Sequence, residues 1–398
     1  MTALDTAPVS LDSWLERHGE GLIALRRNLH AHPELSGEEH ATTDVVAERL
    51  ALAGLSPRRL AVGTGLVCDL VPVPRDERLP IALRADLDAL AMHDDKDVPY
   101  ASQRPGVSHA CGHDVHTTVV LGAGLYFAQH PEELPGPVRL VFQPAEERVP
   151  GGALDAIADG AIDGVAAIVG LHCEPKLDVG TVGTKAGPIS SAADMAVITL
   201  TGPGGHTARP ELTTDLVALA ALIVTELPRR VGARLDDATD VKVVFGSVQA
   251  GDAANVIPTQ CTLKASIRTP SLTVWEQLPE LVADEIDAIV ADSGAAVEVA
   301  YTHGVPPVVN DVAVTERVRR AAHSVAGSVV EVEQSWGGDD FAWFTRAVPG
   351  TYVRLGVRRP GGPTLDLHAG HFDVDERAID LGVRLLVAAV HEHFAGPR

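Results

Sequence analysis

The chain has 398 residues, enough for two or three domains with a sizeable core. Hydrophobic residues make up 45% and charged residues 22%, which excludes a disordered chain, and 54 acidic against 32 basic residues, a net −22, argues against nucleic acid or an anionic membrane as partner. Met1 to Ser13 has neither a basic start nor an apolar stretch, runs such as Leu216 to Val224 are too short for a bilayer, and four scattered cysteines fit a reducing compartment, so a soluble cytoplasmic protein is expected.

In chain order, Leu11 to Arg27 has the apolar spacing of an amphipathic helix, and a second helix over His40 to Gly54 follows the turn-prone Pro33 to Gly37. Short apolar segments at Leu66 to Leu70, Pro80 to Leu83, Val138 to Phe142 and Ala166 to Leu171 alternate with helical stretches at Thr117 to Gln129 and Gly152 to Asp159. That alternation predicts an α/β fold with a mostly parallel sheet covered by helices. From about Gly187 the pattern becomes strand Ala193 to Thr201, helix Thr214 to Arg230, strands Val241 to Val248 and Cys261 to Arg268, helix Leu272 to Asp292 and strand Ala296 to Tyr301. This β-α-β-β-α-β order predicts an inserted ferredoxin-like α+β domain over 187–304, interrupting a domain made of 1–186 and 305–398. The resumed part has a helix at Val312 to Ala326, the loop Gly337 to Asp340, a strand at Thr351 to Gly356, a loop with His368 and His371, and a last helix from Asp375 to Phe394.

The chemistry gathers at strand ends. His109-Ala110-Cys111-Gly112-His113-Asp114-Val115-His116 packs three imidazoles, a thiol and a carboxylate into eight residues, and Gly112 lets Cys111 and His113 turn to one point. Asp86 and Asp88 follow one predicted strand, Glu146 and Glu147 a second, and His172 a third; in open α/β sheets that edge binds ligands. Asp86, Asp88 and Asp114 are candidates for supporting contacts to metal ligands. Adjacent carboxylates on extended chain point opposite ways, so one of Glu146 and Glu147 can ligate while the other takes a proton from water. With Cys111, His113, His172, one of those carboxylates and either His368 or His371, five ligands suit two divalent ions.

Blocks Leu25 to Leu35, Leu83 to Leu90, His109 to His116, Phe142 to Glu147, Gly170 to His172, Asn255 to Pro258, Asp340-Phe341 and Leu367-His368 run nearly end to end. On them the chain resembles the M20 family of metallopeptidases and aminoacylases, in the branch of hippurate hydrolases, N-acyl-amino-acid deacylases and auxin-conjugate hydrolases. The resemblance implies a zinc-peptidase-like catalytic domain and cleavage of N-acyl amino acids to a carboxylic acid and an amino acid. It implies metal ligation by Cys111, His113, Glu147, His172 and His368, with Glu146 as general base. It also implies two divalent ions per subunit, Zn²⁺ or Mn²⁺ with Co²⁺ or Ni²⁺ as options, and a homodimer made through the inserted lid. His206 would hold the substrate carbonyl from the partner subunit, and Asn255 and Arg268 would bind the carboxylate of the amino-acid half. Glu211 stands where the branch often carries a histidine, Ala91-Met92-His93 follows Leu90 where proline and an acid are common, and Asp339 replaces a usual Glu; none is a ligand. The competing readings are a dipeptidase or other small-amide hydrolase, a Cys111 nucleophile with His113 as its base, and a metal-binding protein without turnover. The glycine-rich stretches match no nucleotide fingerprint.

Overall fold

The computed structural model describes residues 10–235 and 241–396. The expectation of no leader over Met1 to Ser13 falls mostly outside them. Two compact units divide the chain, one of Met1–Gly187, Val309–Glu333 and Asp340–Arg398, the other of Pro188–Val308 and Gln334–Asp339.

The first unit starts with α1 (Leu11–Ala31), α2 (His40–Leu52), β1 (Arg58–Arg59), β2 (Leu66–Leu70), β3 (Ile81–Asp86), α3 (His113–Gln129), β4 (Val138–Gln143), α4 (Ala153–Ala158), β5 (Ala167–Asp178), β6 (Thr181–Thr184) and the two-residue β7 (Gly187–Pro188). The chain then forms β8 (Ala193–Thr201), β9 (Gly205–His206), α5 (Leu216–Ala233), β10 (Lys242–Ala250), β11 (Val256–Ile257), β12 (Gln260–Arg268), α6 (Leu272–Val290) and β13 (Ala296–Val305). It returns through β14 (Val309–Asn310), α7 (Val312–Val325), β15 (Ser328–Glu331), α8 (Phe341–Ala347), β16 (Gly350–Arg358) and α9 (Arg377–Phe394).

In the first unit eight strands form one sheet in the order β1-β2-β4-β3-β5-β16-β6-β15. Its centre, β4-β3-β5-β16, is parallel. Every residue of β3 is buried and so is all of β16 but Arg358, the two-faced burial that forces near-continuous apolar strands. Helices α1, α3 and α9 pack on one another over this sheet. Gly122 and Gly124 let α3 approach closely, since a Cβ would stand 2.8 Å from Val383 and 2.3 Å from Leu140. The fold class is the α/β arrangement read from the sequence.

The second unit is an antiparallel sheet, β10-β12-β8-β13, with its own core against α5 and α6. Buried Asp194 ties three elements together, accepting from Trp275 Nε1 at 2.9 Å, Tyr301 Oη at 2.6 Å and Gly304 N–H at 2.8 Å. Among the described residues no helix is long and apolar enough to cross a membrane.

Three details differ from the sequence expectation. Helix α3 begins at His113, not Thr117, because Gly112 adopts φ 90° and caps its start. Strand β5 continues to Asp178, so His172 lies inside a strand rather than after one. Strands β6 and β15 and helix α8, too short to show a period, complete the sheet and its cover.

Candidate metal centre

Gly112 puts Cys111 at the end of a loop and His113 on the first turn of α3. The His113 Nδ1–H donates to the Asp88 carbonyl at 2.8 Å, which fixes the tautomer and turns Nε2 outward. His172 is oriented the same way, its Nδ1–H donating to the Cys173 carbonyl at 2.7 Å and its Nε2 lying 3.3 Å from Cys111 Sγ. Ligand atoms of Cys111, His113 and His172 all lie within 4.8 Å of one another, and so do those of Cys111, Glu147 and His368. Cys111 belongs to both trios. His368 Nε2 is 3.2 Å from Glu147 Oε1, whereas His371 enters no such group among the described residues.

The turn after β4 carries Glu146 and Glu147. Asp88 accepts both of their amide N–H groups, Oδ1 from Glu146 at 3.0 Å and Oδ2 from Glu147 at 2.9 Å. Glu146 Oε2 and Glu147 Oε1 stand 3.8 and 3.9 Å from His113 Nε2. Ala145 and His368 both have φ 56°, and no other described non-glycine residue is left-handed. Such backbone costs about 1–3 kcal/mol each, and here both instances fall at the site.

Supporting contacts run inward. Asp86 Oδ1 accepts from His116 Nδ1 at 2.7 Å, and His116 Nε2 accepts the Cys173 N–H at 2.9 Å, bracing the strand beside His172. Arg84 holds Asp86 Oδ2 at 2.5 Å and Asp340 Oδ1 at 3.0 Å. Asp114 turns away from the centre to His30 Nδ1 and Arg26 Nε, each at 2.7 Å. From the sequence, the histidines flanking the ligand pair, His116 among them, are candidate supports, but nothing there assigns a role to Arg84 or Glu39, whose links to Gln143, Asp340 and Ala145 span distant parts of the chain.

The electrostatics ask for positive charge. Burial opposes a charged His113, but Asp86, Asp88 and Glu147 overcome it and lift its pKa to about 10. His172 moves the other way, well down, through burial and then His116 and Arg354. Asp86 is held well below the usual carboxylate range: its burial pushes upward and is outweighed by His113, Arg84 and His116. His113 Nε2 is buried with no hydrogen-bond partner among the described residues, and buried Glu147 Oε1 has His368 Nε2 beside it at 3.2 Å. An orphaned imidazole nitrogen in a field that favours a cation, with thiol, imidazole and carboxylate donors around it, fits divalent metal ions.

In the inserted unit, His206 and Asn255 are neighbours: β9 pairs with β11 so that His206 faces Val256, and the Thr207 N–H donates to the Asn255 carbonyl at 3.3 Å. His206 is exposed, its Nδ1 accepting the Ala208 N–H at 3.0 Å. Arg268 ends β12, its Nη1 donating to the Trp336 carbonyl at 2.8 Å. Glu211 lies exposed on the short turn Pro210–Leu212.

Residues 82–392 match the sequence model of Peptidase family M20/M25/M40. The chain is 36% identical over 375 residues to the N-acetyl-L-cysteine deacetylase of Bacillus subtilis, covering 94% of this chain and 88% of that one. It is 46% identical over 386 residues to a Rhodococcus jostii protein carrying the name glutamate–cysteine ligase 2-3, but spans only about half of it, 48%. The crystal structure of Bacillus subtilis YXEP, described as a dinuclear metal binding peptidase of the M20 family, superimposes with a TM-score of 0.84 at 32% identity, covering 96% of this chain and 99% of that one.

Proposed function

This chain belongs to Peptidase family M20/M25/M40, and on that premise we propose that it hydrolyses the amide bond of N-acyl amino acids. The observation that carries the reading is the pair of ligand trios sharing Cys111, with Glu146 beside them. The deacetylase relative supports an N-acyl amino acid as the substrate class, and the dinuclear neighbour supports two ions. Cys111, His113, Glu147, His172 and His368 would hold them. Bound there, divalent ions supply Lewis acidity to the amide carbonyl and acidify a water molecule.

The chain's own residues do the rest. Glu146, fixed through its amide by Asp88, takes the proton of the attacking water and delivers it to the leaving amine nitrogen. Asp88 and Cys173 carbonyls keep the two imidazoles in the ligating tautomer. His206 of the partner subunit is the proposed donor to the substrate carbonyl oxygen, and Asn255 with Arg268 the proposed carboxylate site.

Release of amino acid from N-acetyl, N-benzoyl and longer N-acyl substrates, followed after chelation and after return of Zn²⁺, Mn²⁺ or Co²⁺, tests the reading. Chelation should abolish turnover and metal restore it. Glu146→Gln should lose about 100- to 10,000-fold in kcat while keeping its metal content. Turnover that survives chelation and dies with thiol reagents would establish the Cys111 nucleophile instead.

A further inference from the structure

Three arginines are buried in the described chain, Arg26, Arg84 and Arg354. Arg26 is paired with Asp114, and Arg84 with Asp86 and Asp340. Arg354 is 7% exposed and has no hydrogen-bond or ion-pair partner among the described residues. A guanidinium so enclosed without a counter-charge is costly, and the Tyr352 ring, 5.3 Å from its carbon, brings no formal negative charge to it.

Its place in the sheet says where the charge is aimed. Arg354 of β16 is the register partner of His172 of β5 across a parallel pair. Side chains at paired positions leave a sheet on the same face, so Arg354 and the ligand-bearing imidazole emerge side by side. Tyr352, two residues earlier and on that face, has its ring centroid 6.0 Å from that of His172 and 5.3 Å from the Arg354 guanidinium carbon. On the other flank Arg354 pairs with Gly183 of β6, where a Cβ would stand 3.1 Å from Arg354 Cβ and 2.4 Å from Val332, so apolar side chains close that side and, among the described residues, no acid stands there. None of the arginine nitrogens is among the sealed, unpartnered atoms, so the little surface it keeps includes the guanidinium.

We propose that Arg354 binds a carboxylate of the substrate and so makes the site selective for anionic amides. This rests on the hydrolytic reading above and narrows it. A planar fork beside the ligand histidine offers two parallel N–H donors to a carboxylate. An α-carboxylate and a second carboxylate on the acyl group or side chain share that chemistry, and the choice of substrates separates them.

Metal-loaded full-length wild type, Arg354→Met and Arg354→Lys are compared on N-acetylalanine, N-acetylalaninamide, N-acetylglutamate and N-succinylalanine. The wild-type preference in kcat/KM for the substrate with the recognised carboxylate should fall about 10- to 200-fold in Arg354→Met, through KM, with Arg354→Lys keeping part of it. Collapse of the N-acetylalanine over N-acetylalaninamide ratio identifies the α-carboxylate. Collapse of the N-acetylglutamate or N-succinylalanine preference over N-acetylalanine identifies a second one. Equal losses on charged and uncharged substrates, or unchanged ratios, overturn the proposal. If the wild type cleaves none of the four, the reaction reading fails by itself, and calorimetry with succinate and succinamide decides on Arg354. Succinate binding that disappears in Arg354→Met sustains it; no succinate binding by the wild type refutes it.

Discussion

His109 is fully enclosed, and neither of its ring nitrogens has a partner among the described residues. Burial costs the imidazolium more than Asp114 returns, so its pKa falls to about 3. In the unfolded chain the same ring titrates near its ordinary value of about 6.5. Below that value the unfolded state binds a proton the folded state refuses, so stability is complete above about pH 6.5 and is lost as pH falls toward about 3. His30 has the opposite sign: burial lowers its pKa but Asp114 and Asp94 outweigh this and raise it, so its contribution is full below about 6.5 and is lost as pH rises through the raised value. Denaturant unfolding of wild type and His109→Leu at about pH 8 and pH 5 isolates the first effect. The wild type should lose about 2 kcal/mol more than the variant over that interval. Equal losses would show that His109 carries its proton in the folded state.

The turn leaving β4 shows how an element is held where the chemistry needs it. Glu39 is buried, with Oε1 accepting the N–H groups of Gly37 at 2.7 Å and Ala145 at 2.8 Å. With Asp88 on the next two amides, two carboxylates clamp three successive N–H groups in a turn whose Ala145 is left-handed. Glu39→Ala unpairs the first of these, and kcat should fall about 10- to 100-fold with KM nearly unchanged, because the proton-transfer geometry and not the binding surface is disturbed. Unchanged metal content alongside, and partial recovery in Glu39→Gln, would mark positioning; a matching loss of metal would show that Glu39 supports the ligand Glu147 instead. The clamp was not legible in the sequence, since Glu39 and Ala145 are 106 positions apart. What was legible had a local cause. Continuous apolar runs marked β3 and β4, helical spacing marked α9, and the crowding of Cys111 and His113 around Gly112 marked their loop as a candidate ligand site. Helix α3 starts four residues ahead of its visible sequence period, because the polar side chains of its first turn, His113, Asp114 and His116, mask the spacing that Val115, Val119 and Val120 carry.

At the scale of the molecule, the inserted unit has a sheet with helices on one side only. Its edge strand β10 exposes Val244 and Val248, and Met195 of β8 is exposed as well. An uncovered sheet edge with apolar side chains is a surface that a second copy can extend. On the dimer reading, His206 of the partner subunit completes each active site, which makes the two essential residues separable. His206→Ala and Glu146→Ala should each be nearly inactive alone. After subunit exchange between them, about half of the dimers pair one chain of each kind, and each such dimer holds one site with both residues intact and one with neither. Activity should therefore recover to about a quarter of the wild-type level. If each chain instead supplied its own histidine, every site in the mixture would lack one residue and no recovery would occur. Size measurement and confirmed exchange of labelled subunits make silence informative: without recovery, the histidine acts within its own chain.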